Sequence, residues 1–177
     1  MKYDFRPYLN PVFIESGTYG GDGVKAALRT GFETIISIEL SDYYYSLCRE
    51  RFKDFSNVQL LYGDSVLVLP KVMENIYQRC TFWLDGHWMG GEEVIKAGIY
   101  EVPLMEELKI IAKHKIKNHT ILIDDMRLVR DKTSEWRPFI DFCTCDIEEM
   151  IHTINPRYKI TYIDGYKSND ILVAQVK

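Results

Sequence analysis

Five short runs rich in β-branched and other apolar residues recur along the chain, and each is followed by a stretch with helical spacing. This alternation constrains the fold more than any other feature, because strands joined by helical crossovers build a mainly parallel sheet covered on both faces. The runs are Pro11 to Ser16, Thr34 to Leu40, Val58 to Asp64, Cys80 to Gly86 and Thr120 to Asp124. Local signals mark the helices between them. Gly31 stands at a C-cap position, Ser41 at an N-cap position, and Pro103 at the first turn of the amphipathic segment ending at His114. The segment after Asp64 is expected as a helix bent or restarted at Pro70. After a helix around residues 146–154, YKITYI and DILVAQVK are separated by too few residues for a crossover, so they form an antiparallel hairpin. The expectation is an α/β, Rossmann-like, doubly wound sheet of seven strands, mostly parallel, closed by a C-terminal antiparallel hairpin. With 177 residues and no linker, repeat or low-complexity tract, residues 1–177 read as a single domain.

Composition narrows the functional classes. A net charge of -4 argues against sequence-independent binding to nucleic acid, which depends on neutralising phosphates. No apolar run approaches the roughly 20 residues that cross a bilayer, and the N-terminus lacks the apolar stretch of a secretory signal. A cytoplasmic location is therefore expected. The four cysteines form no paired C-x-x-C sets, which disfavours a zinc knuckle. Cys143 and Cys145 lie close enough in FCTC to bridge under oxidation, but reduced thiols are the expectation for such a location.

In open parallel sheets the ligand crevice lies at the carboxyl ends of the strands. The first run leads into ESGTYGGDG, where glycines let the backbone approach a ligand directly before a helix N-terminus. Such a turn also serves purely structural needs. Three acids at the ends of consecutive strands add weight to a ligand site. Glu15 can hold a cationic amino group. Glu39 can accept from ribose hydroxyls, and Asp64, with the Ser65 amide nearby, can accept from an adenine amino group. A second set of acids follows the fourth and fifth runs. Asp85 and His87 lie in WLDGHW, and Asp124 and Asp125 in LIDDMR. Adjacent strands lie about 4.8 Å apart, so carboxylates at both ends can converge on one hard cation. Successive strand residues point to opposite faces, so Asp124 and Asp125 can share an ion only if the strand has already ended.

The order E-x-G-x-x-G-G, IEL, GDS, LDGH and a closing hairpin resembles class I S-adenosylmethionine (SAM)-dependent methyltransferases, from about Pro11 to Lys177. The acids after strands four and five are similar to those of the divalent-metal-dependent, macrocin-type sugar O-methyltransferases. The resemblance implies that Glu15 and the loop of Gly17, Thr18, Tyr19, Gly20 and Gly21 meet the methionine part of the cofactor. It implies Glu39 at the ribose, Asp64 and Ser65 at the adenine, and Asp85 among the cofactor-binding residues. It further implies Asp85, Asp124 and Asp125 as ligands of Mg²⁺, with catalysis through Asp85. His87 is the candidate general base on its own chemistry, a role the family motif does not directly support, and a neutral His hydrogen-bonded in a loop is the alternative. The glycine loop is one residue longer than the family pattern, and a second Asp commonly stands where this chain has His87. The implied acceptor is a hydroxyl of a small molecule, sugar or glycan precursor. The segments after His87 and Arg127 are expected to cover the pocket. Their Trp88, Tyr100, Arg127, Arg130 and Trp136 can stack on a sugar or pair with an acidic group, and exposed aromatics there also suit a homodimer. Two other readings share the fold. One is a nicotinamide-binding oxidoreductase or sensor using Glu39. The other is a non-catalytic interaction module.

Overall fold

The computed structural model describes residues 3–88, 98–131 and 142–176. Its strands are β1 (Val12–Ser16), β2 (Thr34–Glu39), β3 (Val58–Tyr62), β4 (Cys80–Leu84), β5 (Thr120–Ile123), β6 (Tyr158–Ile163) and β7 (Ile171–Val176). They form one seven-stranded sheet in the order β3-β2-β1-β4-β5-β7-β6. The first five pair in parallel, and β7 pairs antiparallel with both β5 and β6. The closing hairpin is thus folded back so that its second strand, not its first, joins the parallel set.

Period-two alternation along the strands divides the core between two faces. Val12, Ile14, Phe82, Leu84, Ile121 and Ile123 pack on one side, with α3 (Ser65–Glu74), α4 (Leu104–Lys113) and α6 (Thr144–Ile154). Phe13, Ile35, Trp83 and Leu122 face the other side, with α1 (Asp22–Thr30) and α2 (Asp42–Arg51). Strands buried on both faces explain why these runs read as continuous apolar stretches.

The helix boundaries follow local chemistry. Gly31, at φ +92°, ends α1 and donates its N–H to the carbonyls of Ala27 and Leu28. The Ser41 side chain accepts from Tyr44 N at the start of α2. Helix α3 runs through Pro70 as one continuous helix, so of the two expectations the restart does not occur, and Asp64 caps its N-terminus by accepting from Val66 N. A short helix, α5 (Met126–Arg130), had no periodic signature in the sequence because it is only five residues long. Cys143 and Cys145, expected as thiols, are joined in a disulfide before α6. Extended backbone at Cys143 leading directly into the helix sets their Cα atoms 5.3 Å apart, within disulfide range. Among the described residues no helix is long and apolar enough to cross a membrane.

The N-terminal segment also packs on the sheet. Phe5 is buried against Phe13 and Trp83, and the Tyr3 ring lies 4.7 Å from that of Trp83.

Candidate active site

Parallel pairing of β1 to β5 brings their carboxyl ends to one edge, and a cavity of about 500 Å³ opens there. That size suits a nucleoside-sized ligand. Gly17, Tyr19, Glu39, Tyr44, Asp64 and Ser65 line one part of its wall; Asp85, His87, Trp88, Tyr100, Glu101 and Asp125 line another.

The loop after β1 is held by backbone and carboxylate together. Gly17 lies at φ +84° and Gly21 at φ +78°, and Tyr19, at φ +45°, occupies the same left-handed region without being glycine. Glu39 accounts for Tyr19. Its Oε2 accepts from Tyr19 N at 2.7 Å and its Oε1 from Ser41 N at 2.7 Å, so one side chain ties the loop to the start of α2. Burial pushes the Glu39 carboxyl above the ordinary range, opposed by the backbone N–H groups around it. The Tyr19 and Tyr44 ring centroids lie 4.4 Å apart, the rings tilted by 42°.

Glu15 lies elsewhere. Its carboxylate is 1% exposed and accepts from Ser37 Oγ at 2.5 Å, and Ser37 Oγ lies 2.5 Å from Thr18 Oγ1. Any side chain at Gly23 would overlap its Oε1. Burial pushes its pKa up to about 8. Glu15, Thr18, Gly20 and Gly21, all expected at the cofactor, build the loop from beneath or behind and do not line the cavity. The cause is strand alternation, which aims Glu15 toward α1. Asp64 does line it, with Oδ1 accepting from Val66 N at 2.9 Å and Oδ2 from Ile99 N at 2.6 Å.

At the other end, β5 stops at Ile123, and Asp125 adopts φ +60°. The turn lets Asp124 and Asp125 lie side by side, as sharing an ion would require. The acids nevertheless sort into two groups rather than the expected trio of Asp85, Asp124 and Asp125. In the first, ligand atoms of Asp85, His87 and Asp125 all lie within 4.8 Å of one another. His87 Nε2 is 2.8 Å from Asp125 Oδ2 and 3.6 Å from Asp85 Oδ1. The second contains Asp124, Asp125 and Asp170. It has its own cation, because the Arg127 guanidinium contacts both Asp125 and Asp170. Asp124 Oδ1 accepts from Asp125 N at 2.8 Å and Oδ2 from the Tyr3 hydroxyl at 3.3 Å, which turns this carboxylate away from the cavity wall.

The two neighbours titrate in opposite directions. Burial, followed by the charge of Asp125, pushes Asp124 up to about 6. Burial also acts on Asp125, but His87 and Arg127 outweigh it and hold this carboxyl below the ordinary range. The asymmetry marks Asp125 as the charged partner.

The aromatic and basic residues expected over the pocket divide as well. Trp88 and Tyr100 line the cavity. Arg127 is engaged by the two aspartates, and Arg130 lies over the Tyr162 ring at 5.1 Å while contacting the Asn169 carbonyl. Trp136 lies outside the described residues. Asp170 and Tyr3 carry no site signal in the sequence, whereas the Tyr43-Tyr44-Tyr45 run reads there as a helix covering the sheet edge on the adenine side. Asp170 reaches the site because the amino end of antiparallel β7 meets the carboxyl end of β5, with Ile123 opposite Leu172.

No protein-family model matches the chain, and no curated protein matches it in sequence. Its fold is similar to that of an O-methyltransferase from Bacillus cereus solved in complex with SAH, with a TM-score of 0.71 and 17% identity over 98% of this chain and 77% of that one. It is also similar to the O-methyltransferase TomG from Streptomyces achromogenes, involved in tomaymycin synthesis and solved with SAM, with a TM-score of 0.70 and 16% identity over 98% and 76%. The SAH-bound methyltransferase PaMTH1 from Podospora anserina gives a TM-score of 0.66 and 14% identity over 98% and 74%. At these identities the likeness establishes the Rossmann-like methyltransferase fold.

Proposed function

We propose that this chain is a SAM-dependent O-methyltransferase acting on a hydroxyl of a small molecule, with a sugar or glycan precursor as the preferred acceptor class. One observation carries the reading. A single cavity is bounded on one side by Glu39, Asp64 and Ser65 and on the other by Asp85, His87 and Asp125, so a nucleoside subsite and an acid–imidazole subsite open onto the same space. The solved SAM and SAH complexes of similarly folded O-methyltransferases support the choice of cofactor. The exposed wall aromatics Tyr19 and Tyr100 suit stacking on a planar or sugar ring.

In this reading Glu39 accepts from the ribose hydroxyls, and Asp64 with Ser65 meets the adenine. Asp125 orients the His87 ring, and the pair takes the proton of the acceptor hydroxyl as the methyl group is transferred. A divalent cation also fits Asp85, His87 and Asp125, which supply two hard carboxylates and one imidazole nitrogen. Bound there it would lower the pKa of the acceptor hydroxyl. Nε2 faces Asp125 and Asp85, so the ion would take Nε2 whereas a ring oriented by Asp125 would take the proton at Nδ1, and the dependence of turnover on the ion separates the two versions.

The decisive test is calorimetric titration with SAH, using NAD as the control ligand. Saturable SAH binding supports the reading, whereas binding of NAD alone replaces it with a nicotinamide enzyme or sensor. Methyl transfer to sugar acceptors is then measured with Mg²⁺ and with chelator. Turnover lost in chelator assigns His87 to the ion, and turnover kept assigns it to the proton. Sedimentation of the same protein tests the proposed homodimer.

A further inference from the structure

Glu107, on α4, is 1% exposed, and among the described residues it forms no ion pair and its Oε1 makes no hydrogen bond. Ser16 Oγ, at the end of β1, is equally buried and also makes none. Two orphaned polar atoms in a core otherwise built from Leu104, Leu108 and Ile111 are costly, because a buried unsatisfied group forfeits about 1–3 kcal/mol. Such features persist where they serve a site.

Both atoms converge on one residue of the candidate site. A Cβ placed on Gly86 would lie 3.3 Å from Ser16 Oγ and 3.6 Å from Glu107 Oε1. On its other flank the same turn touches the cofactor loop. A Cβ on Gly17 would fall 2.6 Å from the Asp85 carbonyl oxygen and 3.1 Å from Gly86 Cα. The backbone of Asp85 and Gly86 is therefore clamped between Gly17 and the Ser16–Glu107 pair, and Asp85 N is further tied to the Ser16 carbonyl at 3.2 Å. Glu107, Gly86, Asp85, His87 and Asp124 also line one small gap, so Glu107 shares a space with the residues of the acidic subsite.

We propose that Glu107 is a positioning residue that, with Ser16, braces the Asp85–Gly86–His87 turn and so sets the spacing between the cofactor loop and the His87–Asp125 pair. The assignment of these two halves rests on the methyltransferase reading above; the brace itself rests on the contacts at Gly86. Burial pushes the Glu107 carboxyl up to about 7, in keeping with a hydrogen-bonding rather than a charge-pairing role. Glutamine, which has the same shape and can hydrogen-bond, should therefore replace it, whereas alanine should not.

The experiment compares wild type, Glu107→Gln, Glu107→Ala and Ser16→Ala by NMR of the histidine ring nitrogens, with His87→Gln to assign the His87 signals. Thermal unfolding and SAH titration are run in parallel. Expected are a shift of the His87 signals in Glu107→Ala, a smaller shift in Ser16→Ala, and return to the wild-type position in Glu107→Gln. His87 signals unmoved in a folded Glu107→Ala protein would overturn the brace, as would Glu107→Gln behaving like Glu107→Ala. If Glu107→Ala does not fold, an unmoved His87 signal in Ser16→Ala overturns it instead. Failure of the wild type to bind SAH would refute the cofactor reading and leave the His87 comparison intact.

Discussion

His87 Nε2 and Asp125 Oδ2 meet at 2.8 Å across 38 residues of sequence and join the end of β4 to the end of β5. Asp125 holds this position through its left-handed backbone and through Arg127, which takes its other oxygen. The pair is the chemical centre of the acidic subsite, and its geometry leads to the first prediction.

Asp125→Asn removes the charge that both His87 and Arg127 face, while Arg127 keeps Asp170. Under the proposed reading methyl transfer should fall by about 10²-fold or more, the usual reach of an acid–base pair. SAH affinity should be retained, because the Glu39–Asp64 part of the cavity, to which that reading assigns the cofactor, is untouched. Loss of charge-assisted hydrogen bonds should cost roughly 1.5–3 kcal/mol of stability. An assay of turnover beside an SAH titration checks this, and equal loss of both would place Asp125 at the cofactor instead.

Gly17→Ala and Gly20→Ala should differ sharply although both alter the same loop. Gly17 combines φ +84° with a Cβ position 2.6 Å from the Asp85 carbonyl oxygen, whereas a Cβ at Gly20 meets nothing within 4 Å. The first should lose about 1–3 kcal/mol and SAH binding with it. The second should stay within about 0.5 kcal/mol of wild type. Denaturant unfolding of the two variants decides the matter.

Glu15 links stability to pH. Its folded pKa of about 8 lies above the ordinary 4.5, so the folded state retains a proton that the unfolded chain has released. Its contribution is complete below pH 4.5 and is lost as pH rises toward 8, with a slope of up to about 1.4 kcal/mol per pH unit. Glu15→Gln should flatten the decline in unfolding temperature between pH 5 and 8. An unchanged slope in calorimetric scans would show that Glu15 ionises freely in the folded state.

His119 and His114 form a buried wire at the opposite edge of the sheet. Cys80 N donates to His119 Nδ1 at 3.0 Å, which leaves the His119 proton on Nε2 to donate to His114 Nδ1 at 3.0 Å. His114 Nε2 then donates to the Ile76 carbonyl at 3.1 Å. Burial, followed by the charge a protonated His114 would carry, lowers His119 to about 4, so stability is complete above pH 6.5 and is lost as pH falls toward 4. Nitrogen NMR should find the His119 ring neutral at pH 5.5; a midpoint near 6.5 would refute the wire.

Much of the site could be read from residues alone because parallel strands deliver their carboxyl ends to a common edge. Once Glu39, Asp64, Asp85 and Asp125 are placed at strand ends, their convergence on one cavity follows from topology. Other features lacked a local signal. Glu107 reads as one more acid in an amphipathic helix, and only its burial against Gly86 distinguishes it. Glu15 sits at a strand end like the others, yet strand alternation aims it under the loop toward Ser37.

Local patterns suffice for the seven strands, the main helices and their caps, since periodicity, Gly31, Ser41 and Pro103 act within a few residues of chain. Which acids meet depends on how the strands assemble. The insertion of β7 between β5 and β6 brings Asp170 to the end of β5, and Arg127 then closes on Asp125 and Asp170. Asp124 turns to Tyr3, and His87 is left to pair with Asp125. Those choices depend on burial, charge and strand order over distances that no local pattern encodes.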